Sequence, residues 1–392
     1  MGKNILFTYI TPFHPERGGI GRVTHLLTLE LQKRGYNVFY LIYDSAITIK
    51  HEYNYPAPLE YFPSKELMSE ENISFYHKFL KEHAIDVVIN QSGNFSDSEL
   101  YLAKGDCDVK IISVLHTPPW VAYHHLWGEI FPLKNNSFIE KIKRIVRVFL
   151  YPRIKYQFKK SRINHFEEIL PKTDLVCMLS EKFFSELSEI YSGYEKKYIA
   201  IPNPNSFTEE EIHLKETSTK YKDLLYVGLF THHKRVDRIV KIWRNLYKDY
   251  PDWRLVIVGG DKNKSKVDYL KKLASTSERV YFEGFQPPLP YCQKSSIFCM
   301  PSNYEGWGMV LTEAMQCGCV PIAFRSFAAV DDIIESDFNG VLIEPFNMKK
   351  YEIKLRELMD NEEFLRTLSK NAQEDIKKYS VEKVVDLWEN CL

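Results

Sequence analysis

The segment Ile297-Phe-Cys-Met300-Pro301-Ser-Asn-Tyr-Glu305-Gly306-Trp307-Gly308-Met309-Val-Leu-Thr-Glu313 decides how the rest of the chain reads. Ile297–Met300 is a short apolar run, as a strand buried on both faces requires. Pro301 ends it, two glycines open the backbone, and Met309–Gln316 reads as a helix. Glu305 therefore lies on the loop before that helix, and Glu313 about one turn inside it. Gly306 and Gly308 leave backbone N–H groups uncovered at the helix start, where the dipole favours an anionic group such as a diphosphate. A carboxylate accepts two hydrogen bonds from a vicinal diol, so one glutamate suits a ribose and the other a hexose. Taken alone, the same residues also fit two solvated glutamates beside a turn.

Outward from this unit the same alternation repeats. Leu224–Val227, Leu255–Val258, Val280–Phe282, Val320–Phe324 and Val341–Ile343 are short strands at α/β spacing. His233–Tyr250 reads as a helix with Val236, Ile239, Val240, Trp243, Leu246 and Tyr247 on one face. Upstream, Ile201-Pro-Asn-Pro-Asn-Ser206 and the polar stretch to Tyr221 mark a domain boundary. Before it, strand signals recur at Ile5–Ile10, Val38–Tyr43, Asp86–Ile89, Val109–Leu115, Leu175–Leu179 and Tyr198–Ile201. The loop Gly18-Gly19-Ile20-Gly21 joins the first strand to a helix ending near Gly35. It fits a tight turn or an anion contact, but not a dinucleotide fingerprint, because Thr24 stands where Gly or Ala is needed. This pattern predicts an α/β protein with two Rossmann-like domains facing a cleft. Residues 1–203 form the first domain, 204–375 the second, and 376–392 a terminal helix returning to the first.

The composition agrees. At ~150 residues per domain, 392 residues make two or three domains. With 44% apolar and 27% charged residues, long disorder and disulfide scaffolds are excluded. Lys+Arg (52) equals Asp+Glu (52), so nucleic acid is not an expected partner. Seven cysteines without a C-x-x-C pair read as buried thiols in a reducing cytosol. No 18-residue apolar run, signal-peptide pattern or myristoylation pattern occurs, so a cytoplasmic protein is expected.

The Glu305–Glu313 segment resembles the E-x7-E signature of retaining glycosyltransferases of family 4, which adopt the GT-B fold. The likeness continues in GGIGRV…LELQKRGYNV, TDLVCMLS…IPNP, YVGLFTHHKRVDRIVKIW and EAMQCGCVPIAF…DII…NGVLIE, and is weakest over 45–110 and 120–165. It implies that Glu305 contacts hydroxyls of the transferred sugar and that the Gly306-Trp307-Gly308 amides meet sugar and diphosphate. It further implies that Glu313 binds the ribose diol and Lys234 neutralises the diphosphate. Gly18 and Gly19 then approach from the other domain, and His116, ending the IISVLH strand, lies beside the sugar. The implied reaction moves a hexose or N-acetylhexosamine from a nucleotide diphosphate sugar, UDP-linked by family frequency, to a hydroxyl of a glycan or lipid-linked glycan. It proceeds with retention, needs neither cofactor nor metal, and fits cell-surface polysaccharide (lipopolysaccharide, O-antigen or capsule) synthesis. A nucleotide-sugar epimerase, a non-catalytic sugar-nucleotide-binding partner protein and a membrane-surface scaffold using the 134–162 helix alone are the rival readings.

Two features depart from the family pattern or add to it. Leu229 stands where the family has an arginine, so a substitute cation is needed; Arg235, His232, His233 and Arg325 are candidates. The stretch 134–162 holds ten Lys/Arg (Lys134, Lys141, Lys143, Arg144, Arg147, Arg153, Lys155, Lys159, Lys160, Arg162) against Glu140 alone. At ~100° per residue, Ile139, Ile142, Ile145, Val146, Phe149 and Leu150 share one face. Such a helix either lies on anionic lipid at the inner face of the cytoplasmic membrane or packs on the first domain with a solvated charged face. Trp120, Tyr123, Trp127 and Phe131 upstream suit an interface or an acceptor groove.

Overall fold

The computed structural model describes residues 2–16, 18–43, 53–130, 138–189, 191–213, 220–261 and 264–392. The strands are β1 (Asn4–Tyr9), β2 (Asn37–Ile42), β3 (Leu59–Tyr61), β4 (Val87–Asn90), β5 (Lys110–Leu115), β6 (Leu175–Met178) and β7 (Tyr198–Ala200), followed by β8 (Tyr221–Val227), β9 (Arg254–Val258), β10 (Val280–Gly284), β11 (Ser295–Met300), β12 (Val320–Phe324) and β13 (Val341–Ile343). They form two sheets, ordered β3-β2-β1-β4-β5-β6-β7 and β10-β9-β8-β11-β12-β13. Every pairing is parallel. All of β4 and all of β12 are buried, which is why these strands read as unbroken apolar runs.

Five helices carry or flank the residues of interest: α1 (Gly19–Lys33), α2 (Phe138–Lys172), α3 (Val236–Leu246), α4 (Met309–Gln316) and α5 (Val381–Glu389). The chain divides into two compact units at Pro204/Asn205, and Val381–Leu392 packs with the first of them. There Val384, Val385 and Trp388 are buried, and Arg34 at the end of α1 reaches Asp386 and Glu389, each at 2.6 Å, and the Glu382 carbonyl at 2.9 Å. The core of the second unit gathers Trp243, Leu246 and Ile239 of α3 against Leu224, Ile257, Ile297 and Ile322 of the sheet.

Chain order reverses once in each sheet, between β1 and β4 and between β8 and β11. Connections leave in opposite directions from such a pair, so the loops at their carboxyl ends border a crevice. The loop after β1 carries Gly18 and Gly19, and the one after β4 carries residues 91–97. The loop after β8 carries Lys234, and the one after β11 carries Glu305.

Two elements differ from expectation. β3 is a three-residue edge strand whose side chains are mostly exposed, so it left no apolar run to read. α3 begins at Val236 rather than His233, because Arg235 is in the left-handed region (φ 47°, ψ 41°) and residues 247–249 form a turn. The basic stretch is helical from Phe138 onward; its residues 134–137, and the side chains of 138–144, lie outside the described residues. Among the described residues, no helix is long and apolar enough to cross a membrane.

Candidate functional site

In the second unit, the topology that makes β8 and β11 neighbours brings two loops together. The Lys234 ammonium donates to both carboxylate oxygens of Glu305, at 2.7 Å each. Glu305 is 8% exposed and Glu313, on the second turn of α4, is 2% exposed, which excludes two solvated glutamates. The loops are tied along their length. The Asn303 N–H donates to the His233 carbonyl at 2.6 Å, and the His233 ring stacks on Tyr304 at 5.1 Å. Beneath them, buried Arg238 donates to the Pro301 carbonyl at 2.8 Å and lies 4.4 Å from the centre of the Phe346 ring. Burial pulls that guanidinium down to about 10. A fixed cation thus anchors the residue at which strand becomes loop.

The start of α4 is open to an anion. Gly308 takes φ 90°, ψ 52°, a conformation that favours glycine, and no side chain caps the first turn or places an acid in it. Trp307 departs from its loop neighbours. Its indole is buried edge-on against Tyr379, with ring centres 5.0 Å apart, and among the described residues its N–H has no hydrogen-bond partner. Only the backbone of Trp307 is therefore available to a ligand.

Arg235 is turned away from Lys234 by its left-handed backbone. Its guanidinium forks onto Asp237 at 2.8 and 3.1 Å, and Lys241 joins the same carboxylate at 2.9 Å. Burial alone would raise Asp237, but the bonds from Arg235 and Lys241 hold it below the usual carboxylate range. Arg325 is likewise held by Asp331 at 2.7 Å. Both arginines that were candidates to replace the missing one are engaged by carboxylates, while Leu229 is 52% exposed.

In the first unit, Gly18 (φ 145°) precedes α1 and Gly19 opens it with no side-chain cap; among the described residues, no atom beyond its chain neighbours lies within 4 Å of where a Gly18 Cβ would stand. Gly21 has the opposite reason to be glycine: a Cβ there would stand 2.5 Å from the His14 carbonyl oxygen. His116, just past β5, sits 2.6 Å from Gln91 Oε1 through its Nε2, and burial lowers its imidazole to about 4. Nearby in the loop after β4, Ser92 donates to Asp97 at 2.5 Å, and burial pushes the Asp97 carboxyl up to about 6.

Gln91, Asp97 and Arg238 were not legible as site residues. The polar run Asn90-Gln-Ser-Gly-Asn-Phe-Ser-Asp97 at a strand end and an arginine inside the apolar opening of α3 were the available signals. The chain's single Asp-x-Asp, Asp106-Cys107-Asp108, precedes β5 at the amino end of the sheet, away from the loops above.

Two families match in tandem, Glycosyltransferase Family 4 over residues 17–204 and Glycosyl transferases group 1 over residues 208–375. An uncharacterized glycosyltransferase of Haemophilus influenzae is 31% identical over 195 residues, 50% of this chain and 54% of the relative. The N-acetylgalactosamine-N,N'-diacetylbacillosaminyl-diphospho-undecaprenol 4-alpha-N-acetylgalactosaminyltransferase of Campylobacter jejuni is 24% identical over 261 residues, 64% of this chain and 70% of that one. The chain spans about half the length of the first curated relatives it matches. Anabaena Alr3699/HepE, in complex with UDP and glucose, superposes over 99% of both chains with a TM-score of 0.73 at 16% identity, a likeness of fold. With one family match on each sheet and the same architecture in solved relatives, the chain belongs to the GT-B glycosyltransferases of family 4.

Proposed function

We propose that the protein transfers a hexose or N-acetylhexosamine, with retention, from a UDP-sugar to a hydroxyl of a glycan or lipid-linked glycan in cell-surface polysaccharide synthesis. The observation that carries this is the Lys234–Glu305 pair in front of the uncapped start of α4. The physical demand of the reaction is to stabilise charge on a departing diphosphate. Lys234 and the amides at Gly306–Gly308 meet that charge, Glu305 orients the ammonium and accepts from sugar hydroxyls, and Glu313 accepts from the ribose. Gly18 and Gly19 offer further amides from the first unit. The acceptor oxygen forms its bond to the anomeric carbon on the face from which the phosphate oxygen departs. That phosphate oxygen takes the acceptor's proton, so no protein nucleophile is assigned. His116, kept neutral by burial, serves as a hydrogen-bonding group rather than a charge. The Campylobacter relative's name specifies a diphospho-undecaprenol acceptor, which supports a lipid-linked glycan here.

A screen of nucleotide sugars by thermal shift tests the reading, since a ligand at a hundred times its Kd stabilises the fold by ~2.7 kcal/mol. A UDP-sugar should raise Tm in the native protein and less so in Glu313→Gln. If no nucleotide diphosphate sugar does so, the reading fails. Leu229 favours one second reading, a non-catalytic sugar-nucleotide-binding partner protein; binding without transfer or hydrolysis would establish it.

A further inference from the structure

We infer that the amino-terminal half of α2 is a docking surface for an anionic lipid bilayer. α2 carries two apolar faces. At ~100° per residue, Tyr151, Ile154 and Phe158 fall on one side. They are half-buried, and further along Phe166, Ile169 and Leu170 are fully buried in the first unit. Ile145, Val146, Phe149 and Leu150, with Tyr156, fall largely across from them and are exposed, Phe149 at 81%. Among the described residues of the first unit, none covers this second face. At 1.5 Å per residue, Phe149 stands ~25 Å along the helix from the buried anchor at Phe166.

Charge identifies the occupant. From Lys141 to Phe166 the chain has no Asp or Glu, while Arg147, Arg153, Lys159 and Lys160 are exposed on the same helix. Net charge over the whole protein is zero, so this basic surface is local. A second copy would bring the same cations against it and be repelled. Nucleic acid would match the charge but not the aliphatic side chains. A headgroup layer offers anions and hydrocarbon at adjacent depths, which matches basic residues flanking an apolar face. Docking of this kind is independent of the transfer reaction proposed above and requires no donor.

The test is co-sedimentation of the 392-residue protein with phosphatidylcholine vesicles, with and without phosphatidylglycerol as the anionic lipid. Binding is expected only with the anionic lipid. It should weaken about fivefold for each of Arg153→Gln and Lys159→Gln, and be lost in Ile145→Glu/Phe149→Glu. These side chains are exposed, so thermal melting should match the native protein and show that the variants fold. Equal binding to neutral vesicles, or retained binding in the double variant, would overturn the inference. Concentration-dependent self-association abolished by the same double variant would assign the face to a second copy and likewise overturn it.

Discussion

The two units share a sheet topology and place opposite electrostatics at the same point of it. Where β8 and β11 part, the second unit sets an ammonium against a carboxylate, with a buried guanidinium below and a bare helix start beside them. Where β1 and β4 part, the first unit sets glycine amides and a hydrogen-bonded polar cluster. Burial there moves His116 down to about 4 and Asp97 up to about 6, each toward its neutral form. A common scaffold supplies a crevice in both, and the residues hung on it decide what the crevice attracts. A fixed cation suits a diphosphate, whereas a hydrogen-bonded polar cluster whose imidazole is held neutral suits hydroxyls. The proposed division into donor and acceptor sides rests on that contrast.

The sharpest way to break it is Lys234→Ala. A cation–anion contact at ~4 Å is worth up to ~4 kcal/mol before desolvation. Turnover should fall by about two orders of magnitude, with a smaller change in KM; an intact kcat would remove the charged crevice from the chemistry. Next in size is Glu313→Gln, which loses charge-assisted hydrogen bonds worth ~1.5–3 kcal/mol. Calorimetry should show UDP binding about ten- to a hundredfold weaker, and unchanged affinity would end the ribose assignment.

The neutral side is tested by pH. His116 is lowered in the folded state, so its contribution to stability is present above ~6.5 and lost as pH falls toward 4. Asp97 is raised, so its contribution is present below ~3.8 and lost as pH rises through about 6. The two oppose each other between pH 4 and 6. Denaturant titrations should therefore show His116→Asn losing stability with rising pH across that window, and Asp97→Asn gaining it, each by at most ~1.4 kcal/mol per pH unit. Parallel slopes in the two variants would contradict the contrast. The smallest effect is expected from Leu229→Arg. Its exposed position limits a new ion pair to under ~1 kcal/mol, seen as UDP binding a few-fold tighter at low salt and unchanged at high salt.

Much of the fold could be read because parallel strands buried on both faces leave short apolar runs. Most strands follow that rule, and β3, an edge strand with little buried surface, does not. The resemblance named the candidate site residues one by one, but their geometry was not legible. Lys234 and Glu305 are 71 positions apart, and their contact exists because the order of the sheet reverses between β8 and β11. Arg235 shows what adjacency in sequence leaves out. It stands beside Lys234 as one candidate substitute cation, and its left-handed backbone accompanies a guanidinium paired with Asp237. Burial was equally hidden: the polar run 90–97 looks like a solvated loop, and Asn90, Gln91, Ser92 and Asp97 are all inside. In α2 the sequence pattern left lipid and protein packing open, because the helix carries one half-buried and one exposed apolar face.

The return of α5 to the first unit has a bearing on biosynthesis. Arg34 finds Asp386 and Glu389 only after the second unit has left the ribosome, so the unit that emerges first is completed after the one that follows it. Until then the part of α1 that α5 packs against is uncovered, and a nascent chain stalled before residue 381 would expose it to chaperones.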